Sequence, residues 1–249
     1  MANDWFSFKR FTVRQAATAM KVGTDGVLIG AWSTLDDGCR RVLDIGAGTG
    51  LISLMAAQRT EPWGAEVVGV ELDAAAAEQA SENCAASPWF DRLTIINSDI
   101  ADLALRQEHV CAYDAIVSNP PFFVNSLESP SQMRNQARHT VTLTYEGLLR
   151  SVKSLLREGG SFSVVLPWES RMDFVCRAIE GGLLLERETV VYAKRGGPAK
   201  RVLLGFRNGA MLHDYMRNEL VIRDGDGYTE EYRRVTGDFY SDELLGGKK

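Results

Sequence analysis

The stretch Asp44-Ile45-Gly46-Ala47-Gly48-Thr49-Gly50 sets an acid at the end of a short apolar run and three glycines directly after it. Glycines let the backbone approach a ligand, and the amides of a following helix N-terminus favour negative charge. A dinucleotide loop, G-x-G-x-x-G, needs its third glycine where this chain has Leu51, which disfavours a nicotinamide cofactor. The next apolar run ends in Val70-Glu71-Leu72-Asp73. A carboxylate at Glu71 can accept from both hydroxyls of a ribose, with Leu72 beside it, whereas Asp73 better suits a helix N-terminal acid. The third run ends in Asn97-Ser98-Asp99-Ile100. Asp99 can accept from an adenine amino group while Ile100 packs against the ring, and taken singly Asp99 suits a helix cap equally well. Three polar strand ends in succession point to an adenosyl cofactor.

A fourth run leads into Ser118-Asn119-Pro120-Pro121-Phe122-Phe123. Two prolines stiffen the backbone, so the Asn119 carboxamide and the Pro120 carbonyl can be aimed in a set direction. Both are acceptors suited to the two hydrogens of a planar amine. Phe122 offers a face for a flat acceptor to stack on. The plainer reading, an Asn-Pro turn followed by core phenylalanines, is favoured only where such a tetrapeptide stands at an arbitrary place.

These residues need a scaffold that brings several strand ends together. Buried strands are expected at Val42–Ile45, Val67–Val70, Leu93–Ile96, Ala115–Val117 and Ser163–Leu166. Helices are expected at Leu51–Arg59, Ala74–Ala86, Leu143–Arg157 (closed by Gly159-Gly160) and about Trp168–Ile179. Strand-helix alternation of this kind builds a parallel sheet with right-handed crossovers. Leu184–Ala193 and Arg201–Phe206, separated by Gly196-Gly197-Pro198, read as a hairpin at the sheet edge. Before the first run, Thr24 or Asp25 is expected to cap a helix starting near Gly26, with Lys21 and Gly23 near the ligand edge.

At 249 residues, 45% hydrophobic and 24% charged, the composition is that of an ordinary globular chain able to bury a sizeable core. Four cysteines without C-x-x-C or metal spacing argue against a disulfide framework and a zinc site, and for a reducing cytoplasm. No apolar stretch is long enough to span a membrane, and the first residues lack a secretory core. The net charge of −5 is unevenly spread: residues 61–114 hold eleven acids and two bases, and residues 187–207 six bases and one acid. Arg134 and Arg138 follow the Asn119 loop, and Lys194, Arg195, Lys200 and Arg201 flank the hairpin turn. Either group offers positive charge to an anionic partner, the alternative being ordinary surface charge. His139 reads as a surface or hydrogen-bonding histidine rather than a catalyst.

The residues from Asp44 to Asp99 resemble the class I S-adenosylmethionine-dependent methyltransferases. That resemblance implies a Rossmann-like, doubly wound α/β sheet, mostly parallel with an antiparallel edge hairpin. It implies that Asp44, Gly46, Gly48 and Gly50 face the methionyl part of S-adenosylmethionine, Glu71 and Leu72 the ribose, and Asp99 and Ile100 the adenine, with Lys21, Thr24 and Asn119 also on the cofactor side. The N-P-P-F tetrapeptide resembles the motif of methyltransferases acting on amide or exocyclic amino nitrogens, among them adenine, guanine and glutamine side chains of release factors. Asn119, Pro120, Pro121 and Phe122 are then catalytic.

The chain from Phe11 to Trp32, taken with Asp44–Phe123 and Gly237-Asp238-Phe239-Tyr240, closely resembles the bacterial adenine-N6 methyltransferases of valine tRNA, which modify adenosine 37 of the anticodon loop. The family usually has tyrosine where this chain has Phe122, so stacking survives and a hydroxyl is lost, and residues Gln15–Thr18 also depart from the pattern. The resemblance implies a tRNA substrate with Phe123, Arg134, Arg138, Lys194, Arg195, Lys200 and Arg201 on its RNA side, no metal and a monomer. One methyltransferase domain over residues 1–249 is expected, with an N-terminal appendage (1–40) and a C-terminal extension (about 208–249). The competing expectation is a glutamine-N5 methyltransferase or another RNA or DNA amino-methyltransferase. Against the glutamine reading, such enzymes usually carry a substantial helical domain ahead of the cofactor fold, and about 43 residues precede the first strand here. A non-catalytic binding module is disfavoured by the intact loop and tetrapeptide.

Overall fold

A computed structural model of the chain describes residues 3–18, 20–121, 143–209 and 214–246. Its strands in chain order are β1 (Trp5–Ser7), β2 (Thr12–Arg14), β3 (Arg41–Ile45), β4 (Glu66–Glu71), β5 (Leu93–Asn97), β6 (Tyr113–Ser118), β7 (Leu156–Pro167), β8 (Leu183–Lys194), β9 (Ala199–Asn208), β10 (Met216–Asp224) and β11 (Gly227–Tyr228). Its helices are α1 (Thr24–Trp32), α2 (Leu51–Arg59), α3 (Ala74–Ala85), α4 (Ile100–Leu103), α5 (Tyr145–Leu155), α6 (Arg171–Glu180) and α7 (Glu230–Thr236).

Strands β3 to β11 form one sheet in the order β11-β10-β8-β9-β7-β6-β3-β4-β5, and β1 pairs with β2 apart from it. The run β7-β6-β3-β4-β5 is parallel throughout, as the strand-helix alternation demands. Its register brings the strand ends level: Ile45 lies opposite Val70 and Ser118, and Glu71 opposite Asn97. The loops after β3, β4, β5 and β6 therefore share one edge, and the four polar motifs follow those ends.

Side chains alternate across this sheet into two cores. Val42, Val67, Ala115 and Val117 pack with α1 and α2 on one face. Leu43, Ile45, Val68, Val70 and Ile116 pack with α4, α5 and α6 on the other. The 3.6-residue spacing of Leu148, Leu149, Val152 and Leu155 turns one stripe of α5 inward, and all four are buried.

The structure differs from the sequence expectations in three places. The cap of α1 is Gly23, with no side-chain bond, and Thr24 and Asp25 fall inside the first turn. Gly159-Gly160 do not close a helix: α5 ends at Leu155 and the chain enters β7 directly. The register jumps from Tyr113 opposite Leu156 to Ala115 opposite Ser161, so the glycines serve a bulge, with Gly159 at φ +72°. The β8–β9 hairpin is antiparallel as read and lies beyond the parallel strands, but the sheet continues past it through β10 and β11. The pairing of β10 with β8 is long-range, which local pattern does not show.

Both end segments enter the first core. Phe8 and Phe11 stack at 4.7 Å between ring centroids, Phe8 stacks on Tyr240 at 5.7 Å, and Phe11 meets Trp89 edge-on. The Lys9 amide donates to the Phe239 carbonyl, and Gln58 of α2 donates to the Asp238 carbonyl. Phe239 is only 2% exposed. Phe239→Ala is expected to cost about 3–5 kcal/mol in urea unfolding, the range for a large core aromatic. A loss below about 1 kcal/mol would make the C-terminal segment a peripheral attachment.

Candidate active site

The glycine loop is built by backbone geometry that side chains would obstruct. Gly46, Gly48 and Gly50 have φ of +76°, +54° and +78°, the left-handed region in which a Cβ is strained. The amides of Gly46 and Ala47 both donate to the Val70 carbonyl, bracing the loop against β4. Gly50 is the N-cap of α2 and so offers no capping side chain. Asp44 supplies the missing acceptor from β3: its Oδ2 accepts from the Ser53 amide at 3.0 Å and from the Ser53 hydroxyl at 2.7 Å. Gly69, beside Asp44 on β4, leaves the room this needs, since a Cβ there would lie 2.9 Å from Ser53 Oγ.

Asp44 is fully buried, and its Oδ1 has no hydrogen-bond partner. Loss of solvent pushes its pKa up to about 7, with the two Ser53 bonds opposing and the nearby Glu71 charge adding to the rise.

Glu71 holds the other side of the loop. Its Oε2 accepts from the Gly48 amide at 2.8 Å and its Oε1 from the Asp73 amide at 2.9 Å. Asp73 caps α3, as expected, by accepting from the Ala76 amide. Asn97 reaches across from β5 and donates to the carbonyls of Glu71 and Leu72. Asp99 caps α4 by accepting from the Ala101 amide at 2.8 Å through one oxygen, Ile100 is buried, and Leu72 stands half-exposed beside them.

Asn119 follows β6, whose last residue, Ser118, donates from its hydroxyl to the Ile45 carbonyl. Pro120 is buried and Pro121 exposed. The Asn119 Oδ1 is buried without a hydrogen-bond partner, and its Nδ2 faces the Met20 sulfur at 4.0 Å. A buried acceptor left unpaired is costly and marks a place where a donor belongs. Asn119 borders a cleft of about 460 Å³ whose floor is Gly46 and Gly48 and whose facing wall is the segment from Met20 to Gly26.

Of the residues singled out in sequence, Lys21, Thr24, Gly46, Gly48 and Asn119 line this one cleft. Asp44 and Gly50 do not line it but support the loop, while Glu71, Leu72, Asp99 and Ile100 stand at the adjoining strand ends. Phe122, Phe123, Arg134 and Arg138 lie outside the described residues. Around the hairpin turn, Lys194, Arg195 and Lys200 are exposed, with Arg195 paired to Asp224 at 2.6 Å, and Arg201 is paired to Asp25 at 2.8 Å.

Sequence reasoning reads Asp25 only as a possible helix cap and misses the contacts of Ser53, Met20 and Asn83. The Asn83 carboxamide accepts from the Arg14 amide and donates to the Arg14 and Thr49 carbonyls, joining β2 to the glycine loop. Ser53 and Asn83 belong to no local motif. Among the described residues no group of three His, Cys, Asp or Glu is placed to hold a metal ion. A second depression, of about 670 Å³, is lined by Lys9, Arg10 and Arg14, and none of the strand-end residues borders it.

The Asp44 environment makes a pH prediction. Its folded pKa is raised above the unfolded value, so between about pH 4 and 7 the folded state binds more protons and stability falls as pH rises. In urea unfolding without ligand, the wild type should lose about 2–3 kcal/mol from pH 5 to 8 relative to Asp44→Asn. Parallel pH profiles for the two proteins would contradict this.

Comparison with known proteins agrees with the geometry. A family model described as the methyltransferase small domain matches residues 27–179. The tRNA1(Val) (adenine(37)-N6)-methyltransferase of Bacteroides thetaiotaomicron is 44% identical, the alignment covering 96% of this chain and 98% of that one. The protein of the same name from Photorhabdus laumondii is 39% identical, with 96% of each chain covered. In fold, the chain is similar to a "predicted O-methyltransferase" of Agrobacterium tumefaciens, with TM-score 0.66, 19% identity and coverage of 86% of this chain and 96% of that one. The chain belongs to the methyltransferase small domain family and, within it, to the tRNA1(Val) (adenine(37)-N6)-methyltransferases.

Proposed function

We propose that this protein transfers a methyl group from S-adenosylmethionine to the exocyclic N6 amine of adenosine in tRNA, at position 37 of the anticodon loop of tRNA1(Val). The observation that carries the reading is the buried, unpartnered Oδ1 of Asn119 beside the glycine loop. An acceptor in that position suits an amine bearing two hydrogens.

The residues fit the cofactor. A Cβ built on Gly46 or Gly48 would have no atom within 4 Å, so both backbones face open space where a ligand can approach. Glu71, with one backbone bond to each oxygen, keeps acceptor capacity for the ribose hydroxyls, and the second oxygen of Asp99 is available to the adenine. Leu72 and Ile100 offer apolar surface to the ring. When bound, S-adenosylmethionine supplies a methyl group activated by a sulfonium, and no metal is needed.

The chain's own residues then hold and orient. Asn119 Oδ1 accepts an N6 hydrogen, and the Pro120 carbonyl can take the second. This directs the nitrogen lone pair toward the methyl, the alignment on which such a transfer depends. Asn119 is not a base, so the proton leaves to water after transfer. Phe122, assigned on sequence alone, gives the base a stacking face once it is turned out of the loop. Exposed Lys194, Arg195 and Lys200 are assigned to RNA phosphates, as are Arg134 and Arg138 on sequence alone, and Phe123 to the RNA beside the pocket. No described helix is long and apolar enough to cross a membrane. A monomer in the cytoplasm is part of this proposal.

The test offers purified protein and labelled S-adenosylmethionine to unmodified tRNA and, separately, to a protein extract. N6-methyladenosine in one valine tRNA, lost by at least about 100-fold in kcat with Asn119→Ala, is the expected result. Label in protein alone would point to glutamine instead. Replacing Lys194 and Lys200 with alanine should weaken tRNA binding and lower its log–log salt slope by about 1 for each phosphate no longer neutralised. An unchanged slope would remove the hairpin turn from the RNA surface.

A further inference from the structure

We infer that Arg201 is a positioning residue for the cofactor cleft, acting through its ion pair with Asp25. The inference rests on the reading of this cleft as the S-adenosylmethionine site.

Asp25 stands in the first turn of α1 and forms part of the cleft wall. Its Oδ2 accepts from Arg201 Nε at 2.8 Å, with the two side chains 25% and 31% exposed. Arg201 Nη1 donates to the Lys200 carbonyl at 3.0 Å. A partly buried guanidinium oriented by a carboxylate and a carbonyl is committed to a fixed place in the protein and offers little of its charge to a phosphate, unlike Arg195, whose pair with Asp224 is largely exposed.

The position of that first turn matters to the site. A Cβ on Gly26 would lie 3.2 Å from Leu51 Cδ2 and 3.8 Å from Asn119 Nδ2, so the turn stands directly against the start of α2 and the Asn119 carboxamide. The other end of α1 is secured several times over. Arg59 donates to the Gly30 and Ser33 carbonyls and to the Ser33 hydroxyl, Arg187 lies over the Trp32 ring, and Trp32 Nε1 donates to Thr189. At the N-terminal end the cap is a glycine with no side chain, and the Asp25–Arg201 pair joins the turn to β9. The pair also neutralises a carboxylate on the cleft wall.

The experiment measures S-adenosylhomocysteine binding by calorimetry for the wild type, Asp25→Ala, Arg201→Ala, the double variant and Arg201→Lys. Each alanine variant is expected to weaken binding about three- to tenfold, the scale of a partly buried ion pair. The double variant should be no weaker than the worse single, and Arg201→Lys should recover most of the loss. In the transfer assay KM for the cofactor should rise more than kcat falls, and the salt slope of tRNA binding should stay at the wild-type value.

Arg201→Ala that lowers the salt slope while leaving cofactor affinity intact would overturn the inference and make Arg201 an RNA contact. Additive losses in the double variant would overturn it too. If Arg201→Ala does not fold, the comparison of Asp25→Ala with Arg201→Lys decides the matter: weak binding in the first with near-normal binding in the second supports the pair, and equal affinities overturn it. A wild type that binds no S-adenosylhomocysteine would overturn the functional reading itself, a failure distinct from any of these.

Discussion

The Asp44 carboxylate holds the site in place. A helix start normally satisfies its free amides with a side chain from the N-cap, but the loop ahead of α2 must turn through a left-handed residue, and Gly50 has no side chain to offer. Asp44 does that work from the neighbouring strand, accepting the amide and hydroxyl of Ser53. The bond ties the end of β3 to the start of α2 across the loop that joins them. The arrangement is costly, because the carboxylate is cut off from water and its pKa is pushed up to about 7. It also dictates neighbours: Gly69 has to be small on β4, and Ser53 has to carry a hydroxyl inside an otherwise apolar turn.

The other acids at the sheet edge are likewise held by backbone bonds. Glu71 braces the loop through the Gly48 amide, and Asp99 caps a short helix. A carboxylate has about four acceptor positions, so one or two backbone bonds fix its orientation and leave the remainder for a ligand. A capping role and a ligand-binding role are therefore not rivals at these positions: the backbone bonds hold the acid still, as precise binding of a nucleoside requires.

Much of the fold could be read from local pattern. Short runs of three or four residues between helical stretches point to β3 to β6, and the spacing of Leu148 to Leu155 to α5. The strand-end motifs could be read because type and spacing repeat at each end. What could not be read depends on partners distant in sequence. Arg201 meets Asp25 across 176 positions, and Met20 meets Asn119 across 99. The two end segments looked like attachments because neither has a sheet pattern of its own. Phe8, Phe11 and Tyr240 join the core through one another, and β10 enters the sheet by pairing with β8.

An amide at position 119 suits the chemistry proposed without bringing a charge into the cleft. A neutral carbonyl oxygen can still accept the amine hydrogens. The amide must be held the right way round, because its other end would present hydrogens to hydrogens. Met20 contributes here: the Asn119 Nδ2 faces its sulfur, a weak acceptor, which leaves Oδ1 as the atom turned inward and unpaired. Two prolines stiffen the chain after it, and the Ser118 hydroxyl fixes the residue before it to β3. An unpaired acceptor in a rigid frame destabilises the free protein slightly, and in the reaction proposed the incoming amine would relieve that cost.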